Sequence, residues 1–224
     1  MPEPRTPELS GGHGKHSGQP IAHAGAALEQ ADGALVLLHG RGGDAAGMLD
    51  LARACAGPRI ACLAPQAAGR VWWPRRFMEP VADNEPDLSS ALSVLDALFA
   101  RLAAKLTPLR VAVLGFSQGA CLAAEYVRRR GEPLGCLIAF SGGLIGETPG
   151  VAAGDLGHVP AALCCSEHDP HIPAARVRET ATVLSAMGAA VTTLLYPGGS
   201  HAVTLEEIAL ARRLLAGRLG SPTR

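Results

Sequence analysis

A serine, an aspartate and a histidine can between them carry out acyl transfer, and this chain offers one of each at comparable positions. Ser117 is the centre of Gly115-Phe116-Ser117-Gln118-Gly119, with the apolar run Val111-Ala112-Val113-Leu114 before it and the helix-forming stretch Ala120 to Tyr126 after it. Strand, sharp turn and helix are the setting in which a serine hydroxyl stands exposed on a strained backbone, with glycines where the helix crosses too close to admit a Cβ. A serine hydroxyl is a weak nucleophile at neutral pH and needs a base. His201, in Tyr196-Pro197-Gly198-Gly199-Ser200-His201, can take its proton and later return it to the leaving group. Asp169, in Glu167-His168-Asp169-Pro170-His171, can hold the imidazole tautomer and stabilise the imidazolium. Taken singly, Asp169 reads equally well as a helix N-cap and His201 as a loop histidine; the combination carries the chemistry.

Acyl transfer also develops an alkoxide, which two preorganised backbone N–H groups usually stabilise. The loop His39-Gly40-Arg41-Gly42-Gly43-Asp44 follows an apolar strand, and its glycines suit a backbone that must approach substrate. The expected donors are the N–H of Gln118, next to the nucleophile, and that of Arg41. A plain tight turn explains those glycines nearly as well.

The elements that must position these groups alternate regularly. Strands are expected at 34–38, 59–64, 111–114, 134–140, 161–166 and 190–196, with helices near 45–56, 87–106, 120–126, 174–187 and 205–219. Strands alternating with helices predict an α/β fold, a mainly parallel sheet covered on both faces, with ligands beyond the C-terminal strand ends. Ser117, Asp169 and His201 each follow a separate strand at that one edge. Residues 1–19, rich in Pro, Gly, His and Ser, read as a flexible tail in which His13 and His16 are solvated; residues 20–220 read as a single domain.

The longest stretch without periodicity runs from 65 to 86 and holds both tryptophans. Trp72, Trp73, Phe77 and Met78 are candidates for a substrate-pocket wall, and packing of the loop onto the domain is an equal alternative. Arg75 and Arg76 read either as holding an anionic headgroup or as a solvated pair. Arg41, Asn84 and Glu85 are candidates to stiffen the mouth. His168, Asp169, His171 and His201 invite a metal site, but the prolines at 170 and 173 make that segment a loop, so no metal is expected.

Composition narrows the function classes. The 224 residues are 48% hydrophobic and 18% charged, enough apolar material for a sizeable core. Twenty basic and twenty acidic residues cancel, so no global field draws nucleic acid or an anionic membrane. No uninterrupted apolar stretch reaches 18 residues and the N-terminus has no apolar leader, so no stable membrane insertion is expected. Six cysteines, mostly within apolar runs, read as buried thiols of a reducing compartment and place the protein in the cytoplasm.

With these residues in view, the chain resembles the phospholipase/carboxylesterase family of α/β-hydrolases, which includes acyl-protein thioesterases and lid-less bacterial carboxylesterases. The resemblance spans about residues 32–216 and rests on Leu38 to Asp44, Ala64-Pro65-Gln66, Trp72-Trp73-Pro74, the Gly-Phe-Ser-Gln-Gly turn, His168 to Pro173 and Tyr196 to His201. It implies the α/β-hydrolase fold without a large lid domain and a Ser117, Asp169 and His201 triad. It also implies Arg41 and Gln118 as oxyanion donors, no cofactor, a small-molecule ester or lipid substrate, and a homodimer, common in that family. The chain departs where thioesterase members carry Leu after the His-Gly pair and a short aromatic-acid segment, which argues against a long-chain acyl-protein substrate. Two functions follow: a serine carboxylic-ester hydrolase (carboxylesterase, thioesterase or lysophospholipase), and a non-catalytic ligand-binding protein on the same scaffold.

Overall fold

The computed structural model describes residues 12–220. Its centre is a seven-stranded sheet in the order β1-β3-β2-β4-β5-β6-β7. The strands are β1 (Ile21–Gly25), β2 (Gly33–Leu38), β3 (Ile60–Pro65), β4 (Val111–Phe116), β5 (Leu137–Phe140), β6 (Pro160–Ser166) and β7 (Ala190–Tyr196). All pairings are parallel except β1 with β3. Continuous apolar runs such as Gly33–Leu38 make strands here because helices cover both faces and every side chain is buried. Alternation then splits each run: Val36, Leu38 and Val113 face one core, Leu35, Leu37 and Leu114 the other. The first core is closed by α2 (Asp87–Ala103), α3 (Gln118–Arg130) and α4 (Ala174–Ala186), the second by α1 (Ala45–Cys55) and α5 (Leu205–Leu219).

Strand β2 lies between β3 and β4, so the chain leaves it toward one side of the sheet and returns on the other. A crevice opens where such connections part, at the C-terminal ends of β2 and β4. Those ends carry the glycine loop at 39–44 and Ser117. Among the described residues no separate lid domain interrupts the order of strands and helices.

Three features depart from expectation. Strand β1 was not anticipated, because Ile-Ala-His-Ala-Gly has little β-propensity and becomes a strand only by pairing with β3. Helix α2 stops at Ala103 rather than at 106, and the Lys105 and Leu106 N–H groups both turn back to Leu102 O and close the last turn. Residues 1–11 of the expected flexible tail lie outside the described residues, but the part that is described is held down. His13 and His16 donate backbone N–H groups to Ser93 Oγ and Ser90 Oγ on α2, each at 2.9 Å, and Lys15 Nζ lies 2.6 Å from Asp87. His16 is fully buried, not solvated. The partners that order this arm lie more than seventy residues away, beyond the reach of local composition.

All six cysteines are free and buried; burial pushes Cys121, Cys136, Cys164 and Cys165 up to about 12 and leaves them protonated at neutral pH. Among the described residues no helix is long and apolar enough to cross a membrane.

Candidate active site

At the C-terminal end of β4, Ser117 adopts φ 55° and ψ −120°, a conformation that side chains seldom tolerate. The Ser117 N–H donates to Phe140 O at 2.9 Å, and α3 begins at the next residue. A Cβ on Gly115 would collide with the backbone of Gly119, and one on Gly119 with the Leu38 carbonyl, so both positions require glycine if α3 is to cross this close to β2 and β4.

His201 arrives on the loop after β7. Immediately beyond it Thr204 and Glu207 form a reciprocal capping box that starts α5 and anchors that end of the loop. Asp169 arrives on the loop after β6. The three side chains meet: His201 Nε2 is 2.9 Å from Ser117 Oγ and His201 Nδ1 is 2.7 Å from Asp169 Oδ2. Asp169 Oδ1 accepts the backbone N–H groups of His171 at 2.8 Å and Ile172 at 3.0 Å. The carboxylate is fully buried. Desolvation pushes it up, but the hydrogen bonds from His201, His171 and Ile172 outweigh burial and hold it below the usual carboxylate range. An ionised Asp169 can only accept, so His201 carries its proton on Nδ1 and turns the Nε2 lone pair to the serine hydroxyl.

The 39–44 loop lies beside this relay. Gly42 N–H donates to Arg70 O and Gly43 N–H to Gly40 O, whereas the backbone N–H groups of Arg41 and Gln118 have no acceptor among the described residues. The Arg41 guanidinium donates to the carbonyls of Trp73 at 2.9 Å, Pro74 at 3.1 Å and Arg75 at 2.7 Å. Partial desolvation lowers its pKa, yet a guanidinium stays charged. The Gln118 side chain accepts from Trp72 N–H and donates to Trp73 O, tying the tryptophan loop to the turn that carries the serine.

A cavity of about 560 Å³ opens over Ser117 and His201, walled by Arg41, Trp73, Phe77, Phe116, His171 and Ile172 among others. Of the four expected wall residues, Trp73 and Phe77 border it, Phe77 with a small exposed edge and Trp73 wholly buried within the wall. Trp72 lies behind it, fully buried, with its indole N–H on His39 O at 2.9 Å. Met78 is exposed and borders a neighbouring depression beside Asp169, Pro170 and Pro173. The loop bends at Trp72, and only its packing decides which tryptophan borders the cavity. Asn84, fully buried, accepts from Arg75 N–H and donates to Arg76 O, stiffening the mouth. Glu85 does not: it accepts from Ser89 at the start of α2.

Sequence reasoning missed Phe116, whose ring lies 5.0 Å from that of His201, and His171, which meets His201 edge-on at 4.8 Å. Their closeness to Ser117 and Asp169 in the chain was the available signal. Among the described residues no group of three or more His, Cys, Asp or Glu is arranged to hold a metal ion.

Trp72 is packed between two buried histidines, with ring centroids 5.6 Å from His16 and 5.0 Å from His39. His16 donates from Nε2 to Trp72 O and accepts Ala68 N–H at Nδ1; His39 donates from Nδ1 to Gly40 O and accepts Ala67 N–H at Nε2. Both rings are therefore neutral, and burial lowers both pKa values. A histidine whose folded pKa is lowered contributes stability fully above its unfolded value of about 6.5, and that stability falls as pH drops through this value toward the folded one. The slope is at most about 1.4 kcal/mol per pH unit for each ring. Urea unfolding at about pH 8 and about pH 5 should show this loss, reduced in His16→Phe, with His23, also lowered by burial, contributing the remainder alongside His39. At about pH 8 His16→Phe should itself cost roughly 2 kcal/mol, since it leaves Trp72 O and Ala68 N–H unpaired. An unchanged pH slope in the variant would show that His16 is not one of the titrating groups.

The sequence pattern of the phospholipase/carboxylesterase family matches residues 22–217. Among solved structures, a phospholipase/carboxylesterase from Dyadobacter fermentans aligns with a TM-score of 0.87 and 38% sequence identity over 91% of this chain and 99% of that one. Esterase PE8 aligns at 0.69 and 24% identity over 90% of this chain and 98% of its own. The Bacillus cereus carboxylesterase aligns at 0.67 and 20% identity over 89% and 94%, a likeness of fold. No curated protein matches. With a pattern that covers nearly the whole domain and a neighbour this similar, the non-catalytic alternative falls away. The chain belongs to the phospholipase/carboxylesterase family of α/β-hydrolases and is a serine hydrolase.

Proposed function

We propose that this enzyme cleaves carboxylic esters of small molecules through an acyl-enzyme on Ser117. The observation that carries the reading is the unbroken relay from Ser117 Oγ to His201 Nε2 at 2.9 Å and from His201 Nδ1 to Asp169 Oδ2 at 2.7 Å. As Ser117 Oγ attacks the acyl carbon, its proton passes to His201 Nε2 and the imidazolium is stabilised by buried, ionised Asp169. The carbonyl oxygen becomes an alkoxide and takes the unclaimed N–H groups of Arg41 and Gln118, each commonly worth about 10²- to 10³-fold in rate. His201 returns the proton to the leaving oxygen, the alcohol departs, and water repeats the sequence to release the acid. A thioester can follow the same route. The cavity of about 560 Å³ is of a size suited to small organic ligands. Buried, unpaired thiols fit a cytoplasmic location.

A fluorophosphonate probe should label the protein at one site, and peptide mapping should find the adduct on Ser117. Hydrolysis of a series of para-nitrophenyl esters and matching thioesters of increasing acyl length then defines the preferred acyl group. An enzyme neither labelled nor active on any member of the series would overturn this reading.

A further inference from the structure

We propose that Arg75 and Arg76, with Arg41 behind them, form a recognition site for an anionic group on the substrate, a carboxylate or phosphate remote from the scissile bond. The inference rests on the ester-hydrolase reading above and narrows its substrate class.

Arg75 and Arg76 border the same cavity as Ser117 and His201. The protein as a whole is neutral, so this positive wall is not the by-product of a basic chain. Several arginines elsewhere are matched, Arg59 with Asp32, Arg128 and Arg129 with Glu125, Arg176 with Glu179, while those without a carboxylate, such as Arg110, Arg212 and Arg218, donate to backbone carbonyls or lie away from the cavity. Among the described residues Arg41, Arg75 and Arg76 have no carboxylate within ion-pair distance. Glu79 also borders the cavity and offsets part of the charge without pairing with any of the three.

The backbone that presents the two arginines is fastened at each step. Buried Asn84 bridges Arg75 N–H and Arg76 O, Arg41 grips the carbonyls of Trp73, Pro74 and Arg75, and Gly146 N–H donates to Phe77 O. Such fastening is out of place for a solvated pair on a loose loop. It lowers the entropic cost of holding two guanidinium forks over one site, and a guanidinium matches the paired oxygens of carboxylate or phosphate. The aromatic side chains Phe77 and Phe116 on the same cavity would pack the apolar part of such a substrate.

The test compares two pairs of esters that differ in one charge. Mono-para-nitrophenyl glutarate against its neutral methyl ester places the anion on the acyl side. Glycerol phosphate monobutyrate against glycerol monobutyrate places it on the alcohol side. Each kcat/KM is divided by the rate of base-catalysed hydrolysis of the same ester. The wild-type enzyme should prefer the anionic member of one pair by about tenfold or more at low salt, mainly through KM, and the preference should shrink in about 0.5 M salt. The double variant Arg75→Gln/Arg76→Gln should bring that ratio close to one, and Arg75→Lys/Arg76→Lys should restore part of it. Because each ratio is internal, a partly unfolded preparation does not alter it. No anionic preference in either pair, or a ratio unchanged in the double Gln variant, overturns the proposal. Failure to hydrolyse any of the four esters would instead strike the ester-hydrolase reading beneath it.

Discussion

Ser117→Ala should lower kcat toward esters by about 10⁶-fold, and adding His201→Ala should take away little more. The two side chains act as one unit. Without the hydroxyl, His201 Nε2 has no proton to receive at its 2.9 Å contact; without the imidazole, the hydroxyl remains a poor nucleophile. A double-variant cycle measured with para-nitrophenyl esters checks this. Multiplicative losses would mean that the two residues work independently. The residual activity, which the intact Arg41 and Gln118 N–H groups and the cavity still support, should exceed the background rate by about 10³- to 10⁴-fold. Replacement of serine by alanine removes one oxygen that hydrogen-bonds only to His201, so circular dichroism should be unchanged.

Asp169→Asn should lower kcat by about 10⁴-fold while the fold and the cavity persist. Asp169 Oδ1 takes two backbone N–H groups, and the amide oxygen of an asparagine would keep those bonds. Its NH₂ then faces His201 Nδ1, where a proton now sits. To avoid donor meeting donor, the imidazole moves its proton to Nε2, and the lone pair that should take the serine proton is gone. Stability supplies an independent reading. Because the folded pKa of Asp169 lies below its unfolded value of about 3.9, its contribution is present above that value and is lost as pH falls through the folded one. Asp169→Asn should therefore flatten acid unfolding in that low-pH window alone. Wild-type turnover in the variant would remove Asp169 from the relay.

Different physics placed different parts of this molecule within reach of its sequence. The turn at Ser117 was legible because its signature is local: an apolar strand, a Gly-x-Ser-x-Gly turn and a helix starting at the next residue. The Leu38 carbonyl that excludes a Cβ at Gly119 nevertheless lies on another strand. Asp169 and His201 were legible because a chain of alternating strands and helices sends every β-to-α loop to one edge of a parallel sheet. Helix α5 was legible near 205–219, and the Thr204–Glu207 capping box that starts it is a local signal, within four residues, that sequence reasoning missed.

The sequence by itself thus determined the element order from β2 onward, the sheet edge and the side chains brought together there, because strand and helix periodicity and the strand-turn-helix pattern act over a few residues. Only tertiary structure decided which of two neighbouring tryptophans borders the cavity, that His16 is buried against Trp72, and that Ile21–Gly25 pairs with β3. It also decided that Asn84 and Arg41 fasten the backbone bearing two unpaired arginines. These outcomes depend on partners distant in the chain. No local pattern records which groups will lose water together, and that shared desolvation selects each contact.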